Sequence, residues 1–267
     1  MSIVNPIEHN RRAWDQRARD GQRFTRPVAA SELDDPANTI DKWAAEEGGE
    51  GRAVLCLAAG GGRPGPLYAH AGASVTVVDV SAMQLDVDRH VAKEMKLKLR
   101  TVQTSMDDLT RFEDASFDMI IHPVSTCYVP DVKPVYREAA RVLRPGGLYI
   151  SQHKQPGSLQ ADIRRSPRGY ELTEPYYRAG PLPEVSGSLH REPGTLEYLH
   201  RWHQLIGSMC RAGFVIEDLT EPFHGDKAAK PGSWGDRSLW IAPYVRIKAR
   251  RVGKSAGLAQ PSLLVTR

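Results

Sequence analysis

The chemistry-bearing residues begin where an apolar run meets a cluster of glycines, VLCLAAGGGRPG over residues 54–65, with Gly60, Gly61, Gly62 and Gly65. At a strand-to-helix turn, glycines let the backbone approach a ligand and leave room for a ribose and its tail. A side chain added at Gly60 or Gly62 is expected to occupy that ligand's volume. Asp79 closes the next apolar run, SVTVVD. A carboxylate there can accept both hydroxyls of an adenosine ribose; a capping role is the structural alternative. Gly60-Gly61-Gly62-Arg63-Pro64-Gly65 literally satisfies G-x-G-x-x-G and so raises a nicotinamide oxidoreductase. Pro64 weighs against it, because a pyrophosphate site at a helix start needs free N–H groups and proline removes one.

Proton-transfer candidates follow the later apolar runs: His122 after FDMII, Cys127 and Tyr128 just beyond, His153 after GLYISQ, and His200 and His203 further on. A histidine suits a base because its ordinary pKa lies near neutrality, the alternative for each being a hydrogen-bonded scaffold role. Cys127 has no activating partner apparent in sequence, and Cys56 reads as a small buried hydrophobe. No metal site is expected.

These residues sit in a chain of 267 with 40% hydrophobic and 25% charged residues, ordinary for one large α/β domain with an appendage. Lys and Arg exceed Asp and Glu by 36 − 32 = 4, much of it near Arg246–Arg251, too sparse for a nucleic-acid face. Three scattered cysteines suit a reducing compartment. The start of the chain lacks signal-peptide order and no apolar run suits a membrane span, so a soluble cytoplasmic protein is expected, with no nucleic-acid or membrane partner and its oligomeric state open.

Helices are expected over 5–20 and from Asp35-Pro36 through Ala44, forming an N-terminal helical cap, 1–52. From Ala53, short β-branched runs alternate with amphipathic segments at 64–71, 82–96 and 132–143, which predicts a mostly parallel, doubly wound sheet with helices on both faces. Residues 154–195, rich in Pro, Gly, Tyr and Arg, form a long irregular insertion, expected to be a substrate-side lid. GTLEYLH and FVIEDLTE read as strands around a helix RWHQLIGSMCRAG, and LWIAPYVRIKARR reads as the last strand. A domain over 53–250 and a tail over 251–267 follow.

SMDDLTRFEDASFDMIIHPVSTCYVPDV followed by REAARVLRPGGLYIS, behind the glycine turn and Asp79, resembles class I S-adenosylmethionine-dependent methyltransferases of the small-molecule type. The resemblance is close over 53–151 and looser through CRAGFVIEDL. It implies a Rossmann-like seven-stranded sheet ending in an antiparallel hairpin, S-adenosylmethionine as methyl donor with S-adenosylhomocysteine as product, and a small-molecule acceptor. It further implies that Ala58 to Gly62 form the floor under the donor's methionine and ribose, with Gly60 and Gly62 closest. Asp79 would hold the ribose, Val80 and Gln84 would contact the adenine side, and Ser105, Met106 and Asp107 would edge the adenine. His122 and Pro123 would lie under the sulfonium, His122 or His153 being the candidate base. Cys56, Ala58 and Ser105 depart from the family pattern, which commonly has an acid, a glycine and an Asp at those places; a non-catalytic cofactor-binding module is the reading they raise.

Trp14 and Phe24, ahead of the sheet, are candidates to close over the donor. Tyr128, Tyr170, Tyr176, Tyr177 and His200 are candidates for an aromatic acceptor pocket. RNA methylation is weighed and disfavoured, since no appendage with stacking aromatics is recognisable.

Overall fold

Apolar residues on both sides of each central strand force this sheet into the middle of the molecule. The computed structural model describes residues 5–35, 39–186 and 190–253. Its strands are β1 (Ala53–Leu57), β2 (Ser74–Asp79), β3 (Leu99–Gln103), β4 (Phe117–His122), β5 (Leu143–Lys154), β6 (Phe214–Thr220) and β7 (Tyr244–Arg251). They form one seven-stranded sheet in the order β3-β2-β1-β4-β5-β7-β6. β1 to β5 pair in parallel, and β7 is antiparallel to both β5 and β6. This is the Rossmann-like arrangement expected, with its terminal antiparallel pair.

The helices are α1 (Pro6–Arg19), α2 (Lys42–Glu47), α3 (Pro64–His70), α4 (Ala82–Glu94), α5 (Lys133–Val142), α6 (Pro156–Gln160), α7 (Trp202–Arg211) and α8 (Trp234–Trp240). Alternation along β1 divides the core. Leu55 and Leu57 pack with Tyr136, Ala139 and Met209 of α5 and α7, while Val54 and Cys56 pack with Leu67 and Leu85 of α3 and α4 on the opposite face. Each such leucine buried from water contributes about 1.5–3 kcal/mol. Val28, Leu33, Ile40 and Ala44 join the second core, so the N-terminal segment packs into the sheet's own core.

Several expectations need correction. Part of the second predicted helix, 36–38, lies outside the described residues; the described turn is α2, capped by the Asp41 carboxylate accepting from Trp43 N–H at 3.0 Å. GTLEYLH is extended but joins no strand, because β7 already occupies the free edge of β5. Its backbone pairs locally instead, Tyr198 N–H donating to Cys127 C=O at 2.7 Å. Leu239 and Trp240 end α8 rather than opening β7. β5 runs through His153 and Lys154, beyond the predicted run. Residues 254–267 of the predicted tail lie outside the described set.

Helix α1 is tied to the rest by specific polar contacts. Asn5 caps it, its side chain accepting from Ile7 N–H at 3.0 Å. Asn10 Nδ2 donates to the carbonyls of Tyr128 (2.9 Å) and Leu196 (3.0 Å), and Oδ1 accepts from Leu196 N–H at 2.7 Å. Asn10→Ala should therefore cost about 1–3 kcal/mol, the penalty of leaving a buried backbone group unpaired. Chemical denaturation should register that loss and hydrogen exchange should show α1 opening first; exchange in α1 unchanged from wild type would show that other contacts hold the helix.

Candidate active site

The carboxyl ends of the parallel strands open into a cavity of about 430 Å³. Its first half is lined by Trp14, Ala58, Gly60, Asp79, Val80, Gln84, Ser105 and Met106; its second by Tyr128, Gln152, Glu192, His224, Trp234 and Tyr244, with Pro123 and Ser125 between. Phe24 also lines it.

The first half rests on the turn after β1. A helix start leaves N–H groups without partners, and here two carboxylates take those of the glycine turn. Asp79 Oδ2 accepts from Gly60 N–H at 3.0 Å and Oδ1 from Ser81 N–H at 2.9 Å. Asp88, on α4, accepts from Gly61 N–H at 3.0 Å. Burial opposes both charges and outweighs these bonds, pushing Asp79 up to about 6 and Asp88 up to about 7. The Asp88 role was not legible in sequence; an Asp in the middle of a helix reads as solvated, and only the approach of α4 to the turn brings it there.

Ala58 adopts φ +47°, a left-handed conformation that explains why glycine is common at this place in the family pattern. Gly62, expected near the donor, faces the protein. A Cβ there would lie 2.8 Å from Val87 Cγ1 and 3.0 Å from Val91 Cγ2, and its φ is +73°, so its glycine serves helix packing. Gly60 lines the cavity, but a Cβ on it would meet Gln84 Cβ at 2.7 Å before filling ligand space. Gly65 is likewise required by packing, its added Cβ falling 2.5 Å from Val77 Cγ2.

Helix α1 buttresses this half. Asp15 accepts from the Ser81 hydroxyl at 2.7 Å, and Ser81 caps α4 by accepting from Gln84 N–H at 3.1 Å. Gln84 Oε1 is buried without a hydrogen-bond partner, packed against the turn at Gly61. Asp107 Oδ1 is buried and unpartnered too, but Asp107 does not line the cavity.

The histidines behave as scaffold. His122 is buried behind Ser125: Tyr149 O–H lies 2.6 Å from Nδ1 and Ser125 Oγ lies 2.7 Å from Nε2. Ser125 Oγ donates to Pro123 C=O at 3.1 Å, so Nε2 carries the proton and donates to Ser125 while Tyr149 donates to Nδ1. His153 is held between Thr126 Oγ1 and Ser151 Oγ, each at 2.8 Å. His200 Nε2 donates to the carbonyls of Thr126 and Val129, fixing the 3-10 turn Thr126–Tyr128. Burial lowers all three, His122 to about 3, so each stays neutral at ordinary pH. None lines the cavity.

Of the tyrosines, Tyr128 lines the cavity, its ring edge-on to Trp14 at 5.4 Å. Tyr170 donates to Asp236 at 2.8 Å. Tyr176 packs on Leu159, Leu182 and Leu199, and Tyr177 is 78% exposed. The aromatic wall is supplied instead by Trp234 and Tyr244, 5.9 Å apart, from α8 and β7. Of the residues from 154 to 195, Glu192 lines the cavity. Neither Glu192 nor Trp234 carries a sequence signal, since both lie in irregular, Pro- and Gly-punctuated stretches. Among the described residues no group of His, Cys, Asp and Glu suits a metal ion.

Residues 55–151 match the family described as "Methyltransferase domain". The chain is 35% identical over 231 residues to the uncharacterized methyltransferase YbaJ of Bacillus subtilis (strain 168), covering 80% of this chain and 90% of that protein. An S-adenosylmethionine-dependent methyltransferase from Mesorhizobium loti shares the fold with a TM-score of 0.63 at 21% identity, over 80% of this chain and 100% of that one. So does the geranyl diphosphate C-methyltransferase of Streptomyces coelicolor A3(2), solved with Mg2+, geranyl diphosphate and S-adenosyl-L-homocysteine, with a TM-score of 0.59 at 16% identity over 94% and 100%. The chain belongs to the class I S-adenosylmethionine-dependent methyltransferases, and its cofactor is S-adenosylmethionine.

Two outcomes follow from the turn. Native Asp88 binds its proton more tightly than the unfolded chain does, so its contribution to stability declines as pH rises from about 4 through about 7. Asp88→Asn should match wild type below about pH 4 and gain on it steadily up to about pH 7 in denaturant titrations; a difference constant with pH would place the charge elsewhere. Ala58→Gly should raise stability by up to about 1 kcal/mol, the left-handed cost of roughly 1–2 less glycine's entropy of about 0.5–1. A lowered midpoint would show that the turn carries no such strain.

Proposed function

We infer that the chain transfers the methyl group of S-adenosylmethionine to a small-molecule acceptor held in the second half of the same cavity. The observation that carries this is the continuity of one cavity from the Asp79 turn to the Tyr128, Trp234 and Tyr244 wall. The polar groups fit the donor. Asp79 would take the ribose hydroxyls, and Gln84, on the same lining, would contact the adenine side. Val80, Ser105 and Met106 would pack around the adenine, and Ala58 and Gly60 would underlie the ribose and methionine. Trp14, held against Tyr128, would exclude water from the sulfonium.

When bound, the donor supplies an electrophilic methyl group. The protein's task is then alignment, because an in-line displacement gains most from holding nucleophile and carbon in reach. Tyr128 and Ser125 stand where the two halves meet, and the chain Tyr149–His122–Ser125–Pro123 fixes that junction without a titrating group. We therefore assign His122 and His153 positioning roles.

The working division is an N-terminal cap over 1–52, a methyltransferase domain over 53–250 that includes the acceptor-side insertion at 154–195, and a tail. A small-molecule acceptor rather than nucleic acid suits an enclosed, aromatic-walled cavity. No helix among the described residues is long and apolar enough to cross a membrane. The unpaired Cys56, Cys127 and Cys210 are consistent with a reducing, cytoplasmic setting.

Asp79 decides this assignment experimentally. Each hydrogen bond to a charged acceptor is worth about 1.5–3 kcal/mol, so Asp79→Asn should weaken S-adenosylhomocysteine at least tenfold by isothermal titration, while NAD binds neither protein. Protonation of Asp79 in the free protein as pH falls through about 6 should weaken wild-type binding, with proton release on binding near that pH. A folded variant with wild-type affinity would remove Asp79 from the site.

A further inference from the structure

The second half of the cavity holds a carboxylate, Glu192, fixed through one of its two oxygens. Lys154, at the end of β5, is buried and donates to Glu192 Oε2 at 2.6 Å and to Glu197 Oε1 at 2.8 Å. Arg191 Nε donates to Glu197 Oε2 at 2.8 Å, and Glu192 N–H donates to Glu197 Oε1 at 3.0 Å. Both oxygens of Glu197 are thus taken by donors, while burial and the neighbouring Glu192 carboxylate push its own carboxyl above the usual range. The Tyr128 hydroxyl donates to Glu192 Oε2 at 2.6 Å. Glu192 Oε2 therefore has the Lys154 and Tyr128 donors, the Glu197 carboxyl is a further hydrogen-bonding neighbour, and no N–H of the described residues is seen on Oε1. Burial opposes ionisation of Glu192, and the Lys154 ammonium overcomes it, holding the carboxyl down at about 2.

A carboxylate oxygen at a cavity wall is an open acceptor for a ligand's N–H or O–H. Glu192 lines the cavity, beside Tyr128 and on the same side as Trp234 and Tyr244. Lys154 and Arg191 offset Glu192 and Glu197 within this cluster, and Arg23, over the Trp234 ring at 5.8 Å, adds a cation to the same lining. The surrounding rings offer flat apolar contact.

Resting on the methyl-transfer reading above, we propose that Glu192 is the acceptor-binding group, its Oε1 taking a hydrogen bond from the acceptor's own nucleophilic atom. The acceptor is then an aromatic molecule methylated on an oxygen or nitrogen that carries a hydrogen. That atom's lone pair forms the bond to the methyl carbon as the carbon–sulfur bond breaks, its electron pair remaining on sulfur. A hydroxyl oxygen methylated in this way becomes a strong acid, and its proton passes to Glu192 Oε1 and then to water. An amine nitrogen keeps its proton as an ammonium, hydrogen-bonded to the same carboxylate. Lys154 and Tyr128 are positioning residues, holding Oε2 so that Oε1 is presented.

The test is isothermal titration of the protein saturated with S-adenosylhomocysteine, using 2-naphthol, 2-naphthylamine and 2-methoxynaphthalene. 2-Naphthol or 2-naphthylamine should bind wild type at least tenfold more tightly than the methoxy compound, and whichever binds more tightly distinguishes oxygen from nitrogen. Glu192→Gln should abolish that preference while S-adenosylhomocysteine affinity is retained, measured well below the variant's own melting temperature. Equal binding of the three compounds to wild type, binding by none of them, or a preference surviving in a folded Glu192→Gln protein overturns the proposal. The wild-type comparison stands even where the variant does not fold. Loss of S-adenosylhomocysteine binding by wild type itself is a separate result, and overturns the methyl-transfer reading instead.

Discussion

Everything at the donor end depends on where the N–H groups of the glycine turn find acceptors. A chain leaving β1 and entering α3 exposes amides that its own strand and helix leave without partners, the Gly61 N–H being shared between Asp88 and the Gln84 carbonyl at 3.1 Å, and leaving such groups buried and unpaired costs about 1–3 kcal/mol apiece. Asp79 and Asp88 take them, from β2 and α4 respectively. One constraint thereby fixes three elements relative to one another. The same Asp79 is left at the cavity wall, available to a ligand. The raised pKa values of both groups are the energetic trace of holding carboxylates in so enclosed a place.

Helix α1 carries this arrangement across the cavity. Asp15 reaches Ser81 beside Asp79, while Asn10 grips Tyr128 and Leu196 on the other side. A single helix thus braces the donor turn, the 3-10 turn bearing Tyr128 and the segment that ends in the Lys154 ion cluster. That cluster is weak evidence for stability, since desolvating its charges offsets much of their attraction; removing one partner, however, costs about 3–5 kcal/mol. Its value lies in orientation, because Glu192 held by Lys154 and Tyr128 has little freedom to turn away.

The sheet and the donor turn were legible because their signals are local. Strand alternation, the glycines of 60–65, Asp79 and the segment from SFD to LRPGG lie in one continuous stretch whose periodicity is set by backbone geometry. Ala58, a departure from the family pattern, keeps the left-handed backbone angle at which glycine is favoured. The insertion was read as the source of acceptor aromatics because of its tyrosines. Those residues instead satisfy packing and hydrogen bonds of their own, and composition does not say which way a ring points.

What the chain alone determined is therefore the succession of β1 to β5, the cofactor class and the residues of the β1–β2 edge, each encoded within a few tens of residues. Tertiary structure alone decided that Asp88 serves the turn, that His122 and His153 are sealed neutral behind the cavity, and that Tyr128, Glu192, Trp234 and Tyr244 share one wall. These assignments rest on contacts between positions far apart in the chain, such as Tyr128 with Glu192 and Lys154 with Glu197. No local pattern records such contacts, because they come into being when β7 closes the edge of β5 and the segment before α7 folds back over it.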